Sequence, residues 1–177
     1  FLVSGASGAA NEIKEREFDK LMKRTRTRPL PMEIISVKEA YWFAVLAAIS
    51  GVLLLAYFTN MLTTGLGILS MILYVFVYTP LKRVGPIAVL VGAIPGEMPP
   101  LLGWTAVTGS ITYEALIIFG IQFIWQFPHF WAIAWVSDED YKKAGFKLLP
   151  SGGQKDLNTA IQIMIYTLFL LPLGLLP

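Results

Sequence analysis

Four stretches of the chain, Ala40–Phe58, Met61–Leu81, Ala115–Val136 and Leu157–Pro177, carry no charged residue at all. Each reaches about the twenty apolar positions that a helix needs to cross a hydrocarbon core. A fifth apolar stretch, between Val84 and Tyr113, is interrupted by Glu97 and the pair Pro99-Pro100. Proline removes a backbone donor, so this span is expected to be kinked or irregular in its middle. Phe1–Ala10 is too short to cross and reads as the tail of a helix begun upstream. Its small residues, Ser4 to Ala10, would let a neighbouring helix approach closely. The pattern predicts an all-α membrane protein with five complete spans and a partial one, in a single transmembrane domain over 1–177. A first residue that is Phe rather than Met, and an end at Leu175-Leu176-Pro177 inside an apolar run, imply a segment of a longer chain, truncated at both ends.

Composition supports the same class. Hydrophobic residues make up 55% and charged residues 15% of the chain, and mean hydropathy is +0.62. A soluble domain carries roughly 25% charged residues, so too little polar surface is available to cover a globule. With 11 Pro and 15 Gly a simple coiled coil is excluded. With no Cys, disulfides, iron–sulfur clusters and cysteine zinc sites are excluded too. A single His rules out a bis-His haem within the chain.

The placement of charge says more than its sum. All 14 Lys and Arg fall in or beside three connections: the one after Phe1–Ala10, the one at Lys82-Arg83, and the one from Lys142 to Lys155. The connections at Thr59-Asn60 and around Gly109–Thr112 carry none. Alternating crossings then put every basic residue on one face, which the positive-inside rule assigns to the cytoplasm or its topological equivalent. The expected setting is a multi-pass protein of a bacterial inner membrane with its charged loops in the cytoplasm. A net charge of only +2 gives no indication of nucleic acid; the partner implied is the lipid bilayer.

Chemistry concentrates on that charged face. Asn11, Glu15 and Asp19 are spaced i, i+4, i+8, which stacks them on one side of a helix. Such a row of oxygen groups suits a hard cation such as Mg²⁺. Lys23, Arg24, Arg26 and Arg28 follow directly, and guanidinium groups match phosphate oxygens. The combination fits a diphosphate site; a solvated, salt-bridged helix end followed by a topogenic basic loop is the plainer reading. Asp138, Glu139 and Asp140 form a second acidic cluster on the same face, readable as a further cation site or as helix-end capping. Tyr78 and Lys82, four apart, could bring a hydroxyl and an ammonium to one anion, or simply anchor a span at the interface. Gln122, Gln126 and His129 make a polar stripe beside Trp125, Trp131 and Trp135, suited to a flat apolar acceptor or to interhelical packing. Glu97 is an intramembrane ionisable group, a functional candidate by default or a neutral or water-facing acid.

Taken in order, these segments resemble the UbiA-type intramembrane prenyltransferases, and most closely their haem-modifying branch. The matching pieces are Ser7-Gly-Ala-Ala-Asn11, the Asn11/Glu15/Asp19 series, Met22 to Pro31, Tyr78-Thr-Pro-Leu-Lys-Arg83, Pro99-Pro-Leu-Leu-Gly-Trp104, Trp125-Gln-Phe-Pro-His-Phe-Trp131 and Asp140-Tyr-Lys-Lys-Ala-Gly145. The resemblance implies part of a ring of transmembrane helices around a cavity, with diphosphate motifs at its cytoplasmic end. It implies transfer of farnesyl from farnesyl diphosphate to a vinyl group of protohaem, with water supplying a hydroxyl, to give haem O. On this reading Asn11, Glu15, Asp19, Asp138 and Asp140 hold Mg²⁺. Asn11, Asp19, Asp140 and Lys82 carry the catalysis, while Lys23, Arg24, Arg26, Arg28, Tyr78, Lys82 and His129 bind substrate. Haem is then a substrate rather than a cofactor, and a haem A synthase or oxidase assembly protein a downstream partner.

Three other readings compete. A sibling prenyltransferase would act on an aromatic acid or quinone precursor. A small-solute transporter should carry charges deep in several spans, whereas Glu97 alone lies well inside one. A non-catalytic assembly subunit accounts for the topology but not for two acidic clusters and an arginine run on one face.

Overall fold

A computed structural model describes residues 1–176. It is helical throughout, in the order α1 (Leu2–Asp19), α2 (Val37–Phe58), α3 (Met61–Ile72), a π-helical turn (Leu73–Tyr78), α4 (Thr79–Leu81), α5 (Ile87–Gly96), α6 (Met98–Thr108), α7 (Tyr113–Val136), α8 (Asp138–Lys143), α9 (Pro150–Gly153) and α10 (Leu157–Leu173). By length and composition four stretches can cross a membrane: Val37–Phe58, Met61–Leu81, Ile87–Thr108 and Tyr113–Val136. The fifth expected span is shorter than the sequence pattern implied. Helix α10 stops at Leu173, where Pro172 and Gly174 end it, and Pro177 lies outside the described residues. The predicted partial helix continues past Ala10, so α1 joins a small-residue segment to a charged one.

Helix ends follow local chemistry. The Ser36 hydroxyl accepts from the Glu39 N–H while the Glu39 side chain accepts from the Ser36 N–H, a reciprocal cap that starts α2. The Asn60 side chain caps α3 through the Thr63 N–H at 2.9 Å. Gly109, at φ +71°, takes the left-handed position that ends α6. Both proline-disturbed stretches behave as steric rules require. Pro80 has no N–H for the Phe76 carbonyl, and the turn before it widens into the π-helix. Pro99 and Pro100 likewise cannot donate to Pro95 and Gly96, and the span breaks at Glu97 as expected.

Helix α1 packs along α2, and at Gly51 the contact is so tight that an added Cβ would lie 2.9 Å from Val3 Cγ2. In the small-residue segment Ala6 and Ser7 are buried, whereas Gly5 and Gly8 face open space. Close approach therefore depends on the glycine of α2 rather than on those of α1. The principal core joins α5, α7 and the 144–149 loop through Ala88, Val89, Ala93, Phe127, Trp131 and Phe146. Helix α10 leans on it, with Tyr166 5.0 Å from the Trp131 ring centroid. Trp42, Phe43, Leu46, Leu53 and Phe58 on α2 stay exposed, as lipid-facing side chains of a membrane helix do.

Candidate functional site

The row predicted on α1 exists and faces inward. Asn11 and Glu15 are each 6% exposed and Asp19 1%, although the row ends at the charged boundary of the fold. Burying carboxylates is costly unless they are paired, and each finds a cation. Lys82 Nζ donates to Glu15 Oε2 at 3.0 Å and to Asn11 Oδ1 at 3.4 Å. Arg28 Nη1 donates to Asp19 Oδ2 at 2.9 Å. Asn11 Nδ2 in turn donates to Glu15 Oε2 at 3.1 Å, and the Thr79 hydroxyl donates to Asn11 Oδ1 at 2.9 Å. Burial pushes the Lys82 ammonium below the ordinary lysine range, against the pull of the Glu15 carboxylate.

The π-helical turn helps present this lysine. Lys14 Nζ donates to the Val75 carbonyl at 2.9 Å and the Thr79 hydroxyl lies 2.8 Å from the Tyr74 carbonyl. Two backbone acceptors of the disturbed turn are thereby satisfied. Tyr78 is buried, with its ring against Gly92, where a Cβ would come within 2.5 Å of Tyr78 Cε2. The Lys82 ammonium sits 4.8 Å from that ring. The expected pairing of hydroxyl with ammonium is thus replaced, in this arrangement, by pairing of ring with ammonium.

The second acidic cluster comes to the same end of the bundle through the backbone. Asp140 Oδ2 accepts from the Arg24 N–H at 3.3 Å, and Lys143 lies 3.8 Å from the same carboxylate. Partial burial acts to raise the Asp140 carboxyl. The N–H groups of Lys23 and Arg24 and the Lys143 charge outweigh it and hold the group below the usual range. Arg24 Nη2 reaches the Tyr141 hydroxyl at 3.5 Å. Asp138 pairs with Lys142 at 2.8 Å instead of turning to α1, and Glu139 is exposed. The side chains of Lys23 and Arg26 are exposed and pair with no acid among the described residues. His129 is exposed and stacks on Trp125 at 4.3 Å between ring centroids, while Gln126 turns inward against Gly96. The polar stripe is therefore split between two directions.

Among the described residues, no three His, Asp or Glu side chains are arranged to hold a metal ion. The α1 row nevertheless fits a hard cation. Glu15 Oε1 and Asp19 Oδ1 are both buried without a hydrogen-bond partner, and an amide oxygen flanked by carboxylates is the donor set Mg²⁺ prefers. Three features were not singled out from sequence. Thr79 fixes Asn11, and Glu12 lies 3.6 Å from Arg28 Nε. A cavity of about 190 Å³ also opens beside Glu15, walled by Lys14, Phe18, Thr79, Arg83 and Phe146. Only Thr79 had a signal in the chain, its place inside the Tyr78–Arg83 motif.

The model of the UbiA prenyltransferase family matches residues 1–177. Among curated proteins, the chain is 53% identical over its whole length to a protoheme IX farnesyltransferase of Cytophaga hutchinsonii, covering 62% of that protein. It is 48% identical to that of Flavobacterium psychrophilum, again over its whole length and covering 58% of the relative. It is 44% identical to that of Koribacter versatilis over 99% of its length, covering 57% of the relative. The chain thus spans about three-fifths of the length of the curated relatives it matches. No solved structure matches it significantly.

Proposed function

The chain belongs to the UbiA prenyltransferase family, and from that we propose that it forms part of an enzyme moving farnesyl from farnesyl diphosphate to a vinyl group of protohaem, giving haem O. The 177 residues make one transmembrane prenyltransferase domain within a larger ring of helices. The observation that carries the reading is the buried row Asn11, Glu15, Asp19, with Lys82 and Arg28 drawn onto it and two carboxylate oxygens left unpartnered.

In this scheme Asn11, Glu15 and Asp19, with Asp140 and Asp138 from the facing loop, hold Mg²⁺. The ion supplies charge neutralisation to the departing diphosphate. Lys82, Arg24 and Arg28, with Lys23 and Arg26 beside them, hold the remaining phosphate oxygens. Such preorganised donors stabilise the negative charge that grows as the allylic C–O bond breaks. Buried aromatic side chains such as Tyr78, Phe127 and Trp131 keep the site dry, protecting an allylic cation from early hydrolysis. His129 meets the acceptor at iron or at a propionate. The active end faces the cytoplasm of a bacterial inner membrane, and the product passes to a haem A synthase or to oxidase assembly proteins.

Full-length protein in lipid nanodiscs, given Mg²⁺, farnesyl diphosphate and haem, tests this by product mass. A haem derivative heavier by one farnesyl and one water is expected. Prenylated 4-hydroxybenzoate with unchanged haem would move the assignment to the aromatic-acid branch.

A further inference from the structure

The cavity beside Glu15 has walls of both signs. Lys14 Nζ spends one donor on the Val75 carbonyl and stands 4.3 Å over the Phe76 ring, which leaves two of its three donors for another acceptor. Arg83 lies 4.8 Å over the Phe18 ring, and no acceptor pairs with its guanidinium among the described residues. Neither cation forms an ion pair, whereas Lys82, Arg28, Lys142 and Lys143 all do. The two are held in place by contacts that do not consume their charge. Between them lies Glu15, whose Oε1 is buried and without a hydrogen-bond partner. A small space with two uncommitted cations and one uncommitted carboxylate oxygen matches a phosphate group carrying a divalent ion. A lone anion would leave Glu15 unsatisfied, and a lone cation would be repelled by Lys14 and Arg83.

We propose that Lys14 and Arg83 form a phosphate subsite on the far side of Glu15 from Lys82, seating the terminal phosphate of the prenyl donor's diphosphate. This rests on the prenyltransferase reading for the identity of the donor. The two side chains add charge-assisted hydrogen bonds to a phosphate that Arg24 and Arg28 do not reach while they remain tied to Tyr141 and Asp19.

The test is calorimetric titration of inorganic diphosphate, with Mg²⁺ present, into full-length protein in phosphatidylcholine nanodiscs. Lys14→Gln and Arg83→Gln are each expected to weaken binding by about tenfold, and the double variant more. Lys14→Arg should retain most of the affinity, and Lys155→Gln, remote from the cavity, all of it. Wild-type diphosphate affinity in a folded double variant would overturn the proposal. So would a double variant that keeps diphosphate but loses binding to phosphatidylglycerol vesicles, since the cavity would then be a lipid-headgroup site. If wild-type protein transfers no prenyl group, yet the variants still lose diphosphate affinity, the subsite stands and the functional reading falls.

Discussion

Lys82 Nζ lies 3.0 Å from both carboxylate oxygens of Glu15, yet only Oε2 accepts a hydrogen bond from it. The ammonium is 11% and the carboxylate 7% exposed, so the pair is nearly dry. Removing one member leaves the other charged and buried, which costs about 3–5 kcal/mol. Lys82→Met is therefore expected to lower thermal stability in detergent and to abolish diphosphate binding. The partner-swapped double variant Lys82→Met/Glu15→Gln should recover much of the stability but none of the binding. Equal melting temperatures for the single variant and wild type would contradict the pairing.

Asp19→Asn keeps the shape of the side chain while removing the charge that holds Arg28 at 2.9 Å. Turnover is expected to fall by at least about a hundredfold, as for loss of a charged group acting in the transition state. Far-ultraviolet circular dichroism should report unchanged helix content. Near-normal turnover would remove Asp19 from the chemistry.

Gly92→Ala places a methyl group where the Tyr78 ring now sits. Overpacking of this kind costs about 1–3 kcal/mol, and displacing the ring should move the Lys82 it faces. The expected outcome is lower stability together with weaker diphosphate binding, read by melting and calorimetry on the same sample. Loss of stability with unaltered binding would show that Tyr78 does not position Lys82.

Ser36→Ala removes the reciprocal cap of α2, far from the acidic row. A loss of roughly 1 kcal/mol is expected, with transfer activity unchanged. A cap with no energetic role would leave the melting curve where it was.

Asp156 starts α10 by accepting from the Thr159 N–H at 2.8 Å, and that bond holds its carboxyl below the usual range. A carboxylate with a depressed folded-state pKa stabilises above the unfolded value of about 4, and the stabilisation is lost as pH falls through the folded value. Hydrogen-exchange protection of the first turn of α10, corrected for intrinsic rates, should therefore decline with acidification. In Asp156→Asn the decline should be absent.

The α1 row was legible in the sequence because helical periodicity alone determines which side chains share a face. Asn11, Glu15 and Asp19 needed no tertiary information to be grouped. The break at Glu97 was legible for a similar reason, since Pro99 and Pro100 remove donors wherever the helix packs. The attachment of Asp140 to the backbone of Arg24 was not, because it joins residues far apart in the chain through a loop that shows no periodicity. Tyr78 illustrates a different limit. Spacing put it on the face of Lys82, but whether ring or hydroxyl meets the ammonium depends on the groove at Gly92, a packing fact. The same holds for His129: stacking on Trp125 turns it outward while Gln126, three residues before it, turns in. Lys14 and Arg83 looked like ordinary interfacial charges until the fold put both beside Glu15.

The central claim is that the α1 row makes prenyl transfer depend on a divalent ion. The most direct measurement is the initial rate of farnesyl transfer to haem by full-length protein as Mg²⁺ is titrated into a chelator-treated sample, for wild type and Asp19→Asn. The account predicts a saturable rise from a negligible rate in wild type and no rise at the same concentrations in the variant. A wild-type rate independent of Mg²⁺, or identical titration curves for the two proteins, would contradict it.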